Sequence, residues 1–146
     1  MFFWYYIYVE PANIGHLDMK TMIADYMERG FLDNIIDVFK HDRSLYVYLG
    51  DLMTDERIRV RLGISVLVET LKIEDSENIT KAIPHILPLL KNENPVSRGD
   101  AAYLLGIIGH LDAVPFLRGM VEDEDANVRM IAEEALKDIE SNPKTF

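Results

Sequence analysis

The stretches Asn94-Pro95-Val96-Ser97-Arg98, with Ala101 and Leu105-Gly106 behind it, and Asp125-Ala126-Asn127-Val128-Arg129, with Ala132 and Leu136 behind it, decide the fold. They align without a gap on Arg98 and Arg129, and the region around Arg61 aligns on both. Eight residues before each anchor arginine lies an apolar residue, Met53, Leu90 or Val121. Six before lies Asp55, Asn92 or Asp123, a residue type that forms turns through its own side chain. Three after lies Ile64, Ala101 or Ala132, and seven after lies Val68, Leu105 or Leu136. Pro84 and Pro115 stand fourteen residues before the second and third anchors. The anchors are 37 and 31 residues apart, a period at which helical hairpins stack into solenoids.

The apolar spacing outside these anchors is also helical. It predicts helices over 17–28, stopped by Gly30, and over 31–39, then a short helix capped by Ser44 and ending near Met53. Further helices are expected over 55–73, from Ser76 or Thr80 to Leu90, over 96–108, from an Asp112 cap to Val121, and from an Asp125 cap to Ile139. Strand-like alternation is missing outside the aromatic N-terminus, so the expected class is all-α.

The units carrying Arg98 and Arg129 resemble HEAT repeats of the short, roughly 30-residue kind known from phycobilisome bilin lyases. The resemblance covers about 79–140. The unit on Arg61 matches less closely, with Ile64 and Val68 where the family favours Ala and Leu, and Ser97 replaces the usual Val. The expected architecture is an α-α superhelix, armadillo/HEAT-like, of about three hairpin repeats over 44–75, 76–111 and 112–141. A helical cap at 17–43 and an aromatic segment at 1–16 complete one expected domain over 1–146. Each hairpin needs neighbours to bury its apolar face. Ala101 and Ala132 allow close helix approach, Leu105 and Leu136 fill the layer between hairpins, and Gly106 and Gly109 thin the middle unit. The resemblance further implies an Asp/Arg ladder between repeats, carried by Asp55, Asn92 and Asp123 with Arg61, Arg98 and Arg129.

Composition narrows the function classes. The 146 residues hold 25 Asp and Glu against 15 Lys and Arg, a net charge of −10, which disfavours nucleic acid. Apolar residues make up 49%, enough for an ordinary core. Cysteine is absent, so no thiolate or Cys-ligated metal chemistry is available. No run approaches the roughly 18 apolar residues of a membrane span. With no export signal in view, a cytoplasmic location is expected.

His16, His41, His85 and His110 show no metal-binding spacing. No His-Glu dipeptide occurs, which excludes the di-iron chemistry of HEAT-like deoxyhypusine hydroxylases. His110 is expected to cap a helix C-terminus, where a cation is favoured. The acidic runs Glu133-Glu134 and 122–125 suit a solvated face and a helix start, so neither a catalytic constellation nor a cofactor is expected. Arg57, Arg59 and Arg61 read as a solvated helix start, or alternatively as a small anionic docking point.

A surface remains as the candidate site. In HEAT-like solenoids the second helices line the concave face. The exposed offsets from the anchors are then Leu62, Ser65, Val66 and Glu69; Gly99, Ala102, Tyr103, Gly106 and His110; and Met130, Glu133, Glu134 and Lys137. Leu62, Val66, Glu69, Tyr103, His110, Met130 and Glu134 are the expected contacts to a protein or peptide partner. Tyr103 could instead pack between units. The expected function is a non-enzymatic scaffold or adaptor. The alternatives are an accessory enzyme subunit of bilin-lyase type and a self-assembling structural protein. Six aromatics, Phe2, Phe3, Trp4, Tyr5, Tyr6 and Tyr8, precede the first basic residue, Lys20. They read as a flap closing the domain, as a self-association patch supporting a homodimer through the N-terminal half, or as a membrane-surface contact. Met19 is an alternative start, which would make this stretch incidental.

Overall fold

The computed structural model describes residues 18–144. Eight α-helices occur among them: α1 Met19–Glu28, α2 Leu32–His41, α3 Leu49–Met53, α4 Ile58–Glu74, α5 Ile83–Ile86, α6 Pro95–Ile108, α7 Val114–Met120 and α8 Ala126–Ser141. No strand is present among the described residues. The long helices α4, α6 and α8 are the second members of three hairpins. Their first members are built around the short helices α3, α5 and α7, each extended by 3₁₀ turns at Arg43–Tyr48, Ile79–Ala82, Leu87–Lys91 and Leu111–Ala113. The aromatic residues Phe2 to Tyr8 and the 1–16 segment lie outside the described residues.

Local chemistry explains the boundaries. Asp18 caps α1 by accepting from the Lys20 N–H, and Gly30 stops it at φ 89°. The Gly30 N–H then donates to Met27 O, and the Phe31 N–H donates to Tyr26 O, with the Tyr26 and Phe31 rings 5.7 Å apart. This is the left-handed glycine stop with its accompanying apolar contact. Asp42, rather than Ser44, opens the next turn: its Oδ1 accepts from both the Ser44 N–H and the Ser44 hydroxyl. The helix expected up to Leu90 is broken into 3₁₀, α and 3₁₀ pieces. Pro84 and Pro88 are four residues apart and neither can donate an N–H, so the α-ladder is lost where they stand.

The core runs without interruption from Ile23 on α1 to Ile139 on α8. α1 and α2 pack on α4, α4 packs on α6, and α6 packs on α8, with α7 against α8. Ala101, Leu105 and Ala132 are fully buried in this stack and Leu136 packs against it. Gly106 sits at a close approach of α6 to α8: a Cβ there would lie 2.7 Å from Ala135 Cβ and 3.0 Å from Ala135 Cα. The close approach expected of this glycine is therefore present. Gly109 has a different job. It closes α6 in the left-handed region, at φ 75°. Lys72, at the far end of α4, donates to the Ile108 carbonyl at 2.5 Å and so satisfies an orphan acceptor of that helix end. Burial and the neighbouring Lys144 hold the Lys72 ammonium below its ordinary pKa.

The chain returns to this point after α8. Lys144 N–H donates to Gly109 O at 2.9 Å, and Leu111 N–H donates to Lys144 O at 3.0 Å. The C-terminal segment is thereby fastened beside the α6–α7 loop. Deeper in the core, the Phe39 and Tyr46 rings lie 5.6 Å apart and both side chains are almost wholly buried. Burial, reinforced by the negative charge of Asp75, pushes the Tyr46 phenol up to about 12.

Candidate functional site

The turn between the two helices of each hairpin is built the same way three times. A side-chain oxygen of Asp55, Asn92 or Asp123 accepts the N–H two residues on, from Arg57, Asn94 or Asp125, each at 2.9 Å. The anchor arginine, six residues downstream, donates back to the carbonyl of that same residue. Arg61 reaches Asp55 O at 2.6 Å, Arg98 reaches Asn92 O at 2.9 Å, and Arg129 reaches Asp123 O at 2.7 Å. The arginine thus clamps its own turn before it does anything between hairpins.

The ladder between hairpins is incomplete. Arg98 reaches the next turn bidentately, Nε to Asp123 Oδ2 at 3.0 Å and Nη2 to Asp123 Oδ1 at 2.9 Å, and holds that carboxyl below its ordinary pKa. No corresponding bond joins Arg61 to Asn92, because the amide carries no charge to attract the guanidinium and its Oδ1 serves the Asn94 N–H. At Asp55 the rung is taken over by Arg57, which binds both carboxylate oxygens at 3.0 and 3.1 Å and also Asp25 at 2.8 Å. Arg59 donates to Glu28 O, at the end of α1, at 3.1 Å. The three arginines of this cluster are therefore committed to turns and caps within the fold.

His110 departs from expectation. It follows Gly109 outside α6, is 8% exposed, and its Nδ1 accepts from the Asp112 N–H at 3.0 Å. It caps the start of the next turn rather than the end of a helix, and replaces Asp112 in that role. Its burial removes it from the expected contact surface. Gly99 and Ala102 are likewise buried. Their offsets face the neighbouring helices because α6 is flanked by both α4 and α8.

The remaining expected contacts do reach the surface. Leu62, Val66, Tyr103 and Met130 are exposed by 59%, 44%, 42% and 53%. The Tyr103 hydroxyl donates to Glu69 Oε1 at 2.6 Å, joining α6 to α4, and this bond raises the phenol's pKa. On its other side Tyr103 shares a hollow of about 90 Å³ with Glu134, Gly106 and Ile131. Leu62 and Val66 stand one turn apart on α4. Ile58 and Val96, among the most exposed of the large apolar residues, extend the same face by one turn toward the helix starts. Stepping the anchor offsets back by two and three residues would have found them.

Between the starts of α6 and α8 lies a depression of about 290 Å³, walled by Val96, Met130, Ile131 and Gly99 with Asp100 and Asp125. Burial pushes the Asp100 carboxyl above its ordinary pKa, partly offset by the charge of Arg61. Among the described residues no three His, Asp or Glu side chains are grouped to hold a metal ion, and no helix is long and apolar enough to cross a membrane.

A family model described as HEAT repeats matches residues 48–137, well over half of the chain. The chain belongs to the HEAT-repeat family. The match takes in the three anchor arginines and extends the repeat region upstream to α3, through the unit whose sequence departs furthest from the family pattern. Nothing among curated proteins matches the chain. HEAT repeats generally serve as scaffolds for interactions between proteins.

Proposed function

We propose that this HEAT-repeat chain is a non-enzymatic scaffold that docks a protein or peptide segment on the face made by its second helices. The hairpin units at 44–75, 76–111 and 112–141 provide that face and the helices of 17–43 close its N-terminal end. The observation that carries the reading is the placement of Ile58, Leu62 and Val66 on α4, Val96 and Tyr103 on α6, and Met130 on α8. These large apolar side chains are exposed on three consecutively packed helices, whereas an isolated exposed leucine means little. Tyr103, held by Glu69, is a preorganised amphipathic anchor. Acidic Glu69, Asp100, Asp125 and Glu134 rim the face, which argues against a phosphate backbone as the occupant.

The test is a selection of 12-residue peptides from a random displayed library on the full chain, followed by binding to a Leu62→Ser/Val66→Ser/Met130→Ser variant. All three side chains are already exposed, so the variant's melting temperature stays near that of the parent. Selected peptides bind the parent and lose most of their affinity for the variant. Equal affinity for both proteins would place the docking surface elsewhere.

A further inference from the structure

We infer that the depression between α6 and α8 is a pocket for one lysine or arginine side chain of the docked segment, its cationic head on Asp100 and its aliphatic stem along Val96, Met130 and Ile131. This rests on the docking face proposed above and adds the chemistry of what enters it.

The walls fit the two halves of such a side chain. Val96 and Met130 are 60% and 53% exposed, and with Ile131 they offer an apolar lining. A long basic side chain lays its methylene stem against such a lining while keeping its charge at a polar tip. Gly99, on the floor, keeps the depression open. A Cβ there would come within 3.2 Å of the Ile131 Cδ1 methyl.

Asp100 supplies the counter-charge. It is half-buried in the interior of α6, where a carboxylate can cap nothing, and it makes no hydrogen bond or ion pair of its own to a described residue. A carboxylate partly withdrawn from water and without a hydrogen-bonded partner is costly, and the cost that the charge of Arg61 leaves uncompensated is recovered when a cation arrives. The charge of Arg61 offsets the burial of Asp100 only in part, and the nearby arginines spend their hydrogen bonds elsewhere. Arg61 binds the Asp55 and Glu56 carbonyls, Arg98 binds Asp123, and Arg129 binds the Asp123 carbonyl. No Lys or Arg lines the depression, while Asp125 adds a second negative charge at its rim. Anionic and purely apolar occupants both leave Asp100 unpaired.

The test uses the peptides selected on the full chain. A basic residue should recur at one fixed position of the consensus. Replacing that residue by Gln in a synthetic peptide should weaken binding to the parent about tenfold or more, as expected for a charge-assisted contact. The Asp100→Asn protein should bind the basic peptide about tenfold more weakly and hardly distinguish it from the Gln peptide. Should Asp100→Asn fail to fold, the peptide-side substitution decides alone. A consensus without a fixed basic residue, or a Gln peptide that binds as well as its parent, overturns the pocket. If such peptides still lose affinity for the Leu62/Val66/Met130 variant, the docking face survives without it. If no peptide is selected, both fall. A cross-linker placed at Val96 that joins two copies of the chain would assign the depression to self-association and also overturn the proposal.

Discussion

Gly106→Ala is the sharpest probe of how the last two hairpins stack. The added methyl would lie 2.7 Å from Ala135 Cβ and 3.0 Å from Ala135 Cα. Carbon atoms rest at about 3.5–4.0 Å, so α6 and α8 must part by about 1 Å along that line. Overpacking of this kind costs about 1–3 kcal/mol. Exchanging glycine for alanine inside a helix returns up to about 1 kcal/mol, so the single variant is expected to lose a net 0–2 kcal/mol, roughly. The reciprocal change separates the two effects. Ala135→Gly alone loses about 1 kcal/mol of helix propensity. Combined with Gly106→Ala it removes the Cβ–Cβ clash and leaves only the milder contact with the backbone. The double variant should therefore be more stable than the sum of the singles by about 1 kcal/mol or more. Gly119→Ala is the matched control: nothing lies within 4 Å of a Cβ there, so the same exchange should be neutral or stabilising by about 0.4–1 kcal/mol. Urea unfolding midpoints, read at constant slope, give all four numbers. Additivity of the pair within about 0.5 kcal/mol would refute the close packing of α6 on α8 at this point.

The other expectations concern charge, the chain end and a cap. Arg98 lowers the Asp123 carboxyl below its unfolded value, so the stability this carboxylate contributes is complete above about pH 4 and is lost as the pH falls through the lowered folded value. Between pH 6 and pH 3 the parent should lose more stability in urea than Asp123→Asn does, and equal losses would deny the pairing. Ending the chain at Asn142 deletes the two backbone bonds between Lys144 and the 109–111 loop. It should cost about 1–2 kcal/mol and release the Leu111 amide to rapid hydrogen exchange, whereas unchanged protection would show the return segment to be idle. His110→Ala removes the acceptor for the Asp112 N–H and should cost about 1 kcal/mol, while His110→Asn, with a side-chain oxygen of capping type, should recover most of it in thermal melts.

Much of the fold was legible because its signals are local. The anchors Arg61, Arg98 and Arg129, the turn formers six residues earlier and the small Ala101 and Ala132 recur at fixed offsets, and offsets survive translation into helices directly. The Gly30 stop and the Asp125 cap follow from single-residue chemistry. The first helices were harder. Pro84 and Pro88 divide one expected helix into 3₁₀ and α pieces whose apolar periodicity is nearly the same. His110 was misplaced although the end of α6 at Ile108 was legible: it stands past the Gly109 stop, and spacing does not tell that its Nδ1 turns forward to the Asp112 N–H. Gly109 takes the left-handed stop one residue earlier and turns the imidazole inward. Lys72 bonding Ile108 and Lys144 bonding Gly109 join residues more than thirty apart, beyond any periodic pattern. In the candidate face Leu62, Val66, Tyr103 and Met130 were legible from the anchors. Asp100 was not, because an acidic residue in a helix looks solvated until its neighbours are known.

The most direct measurement is methyl chemical-shift mapping of the full chain on addition of a selected 12-residue peptide. The shifts should concentrate on Leu62, Val66, Val96, Met130 and Ile131, leaving Val47, Ile73 and Leu111 in place. Shifts centred on Val47 or Leu111 would contradict docking on the second-helix face.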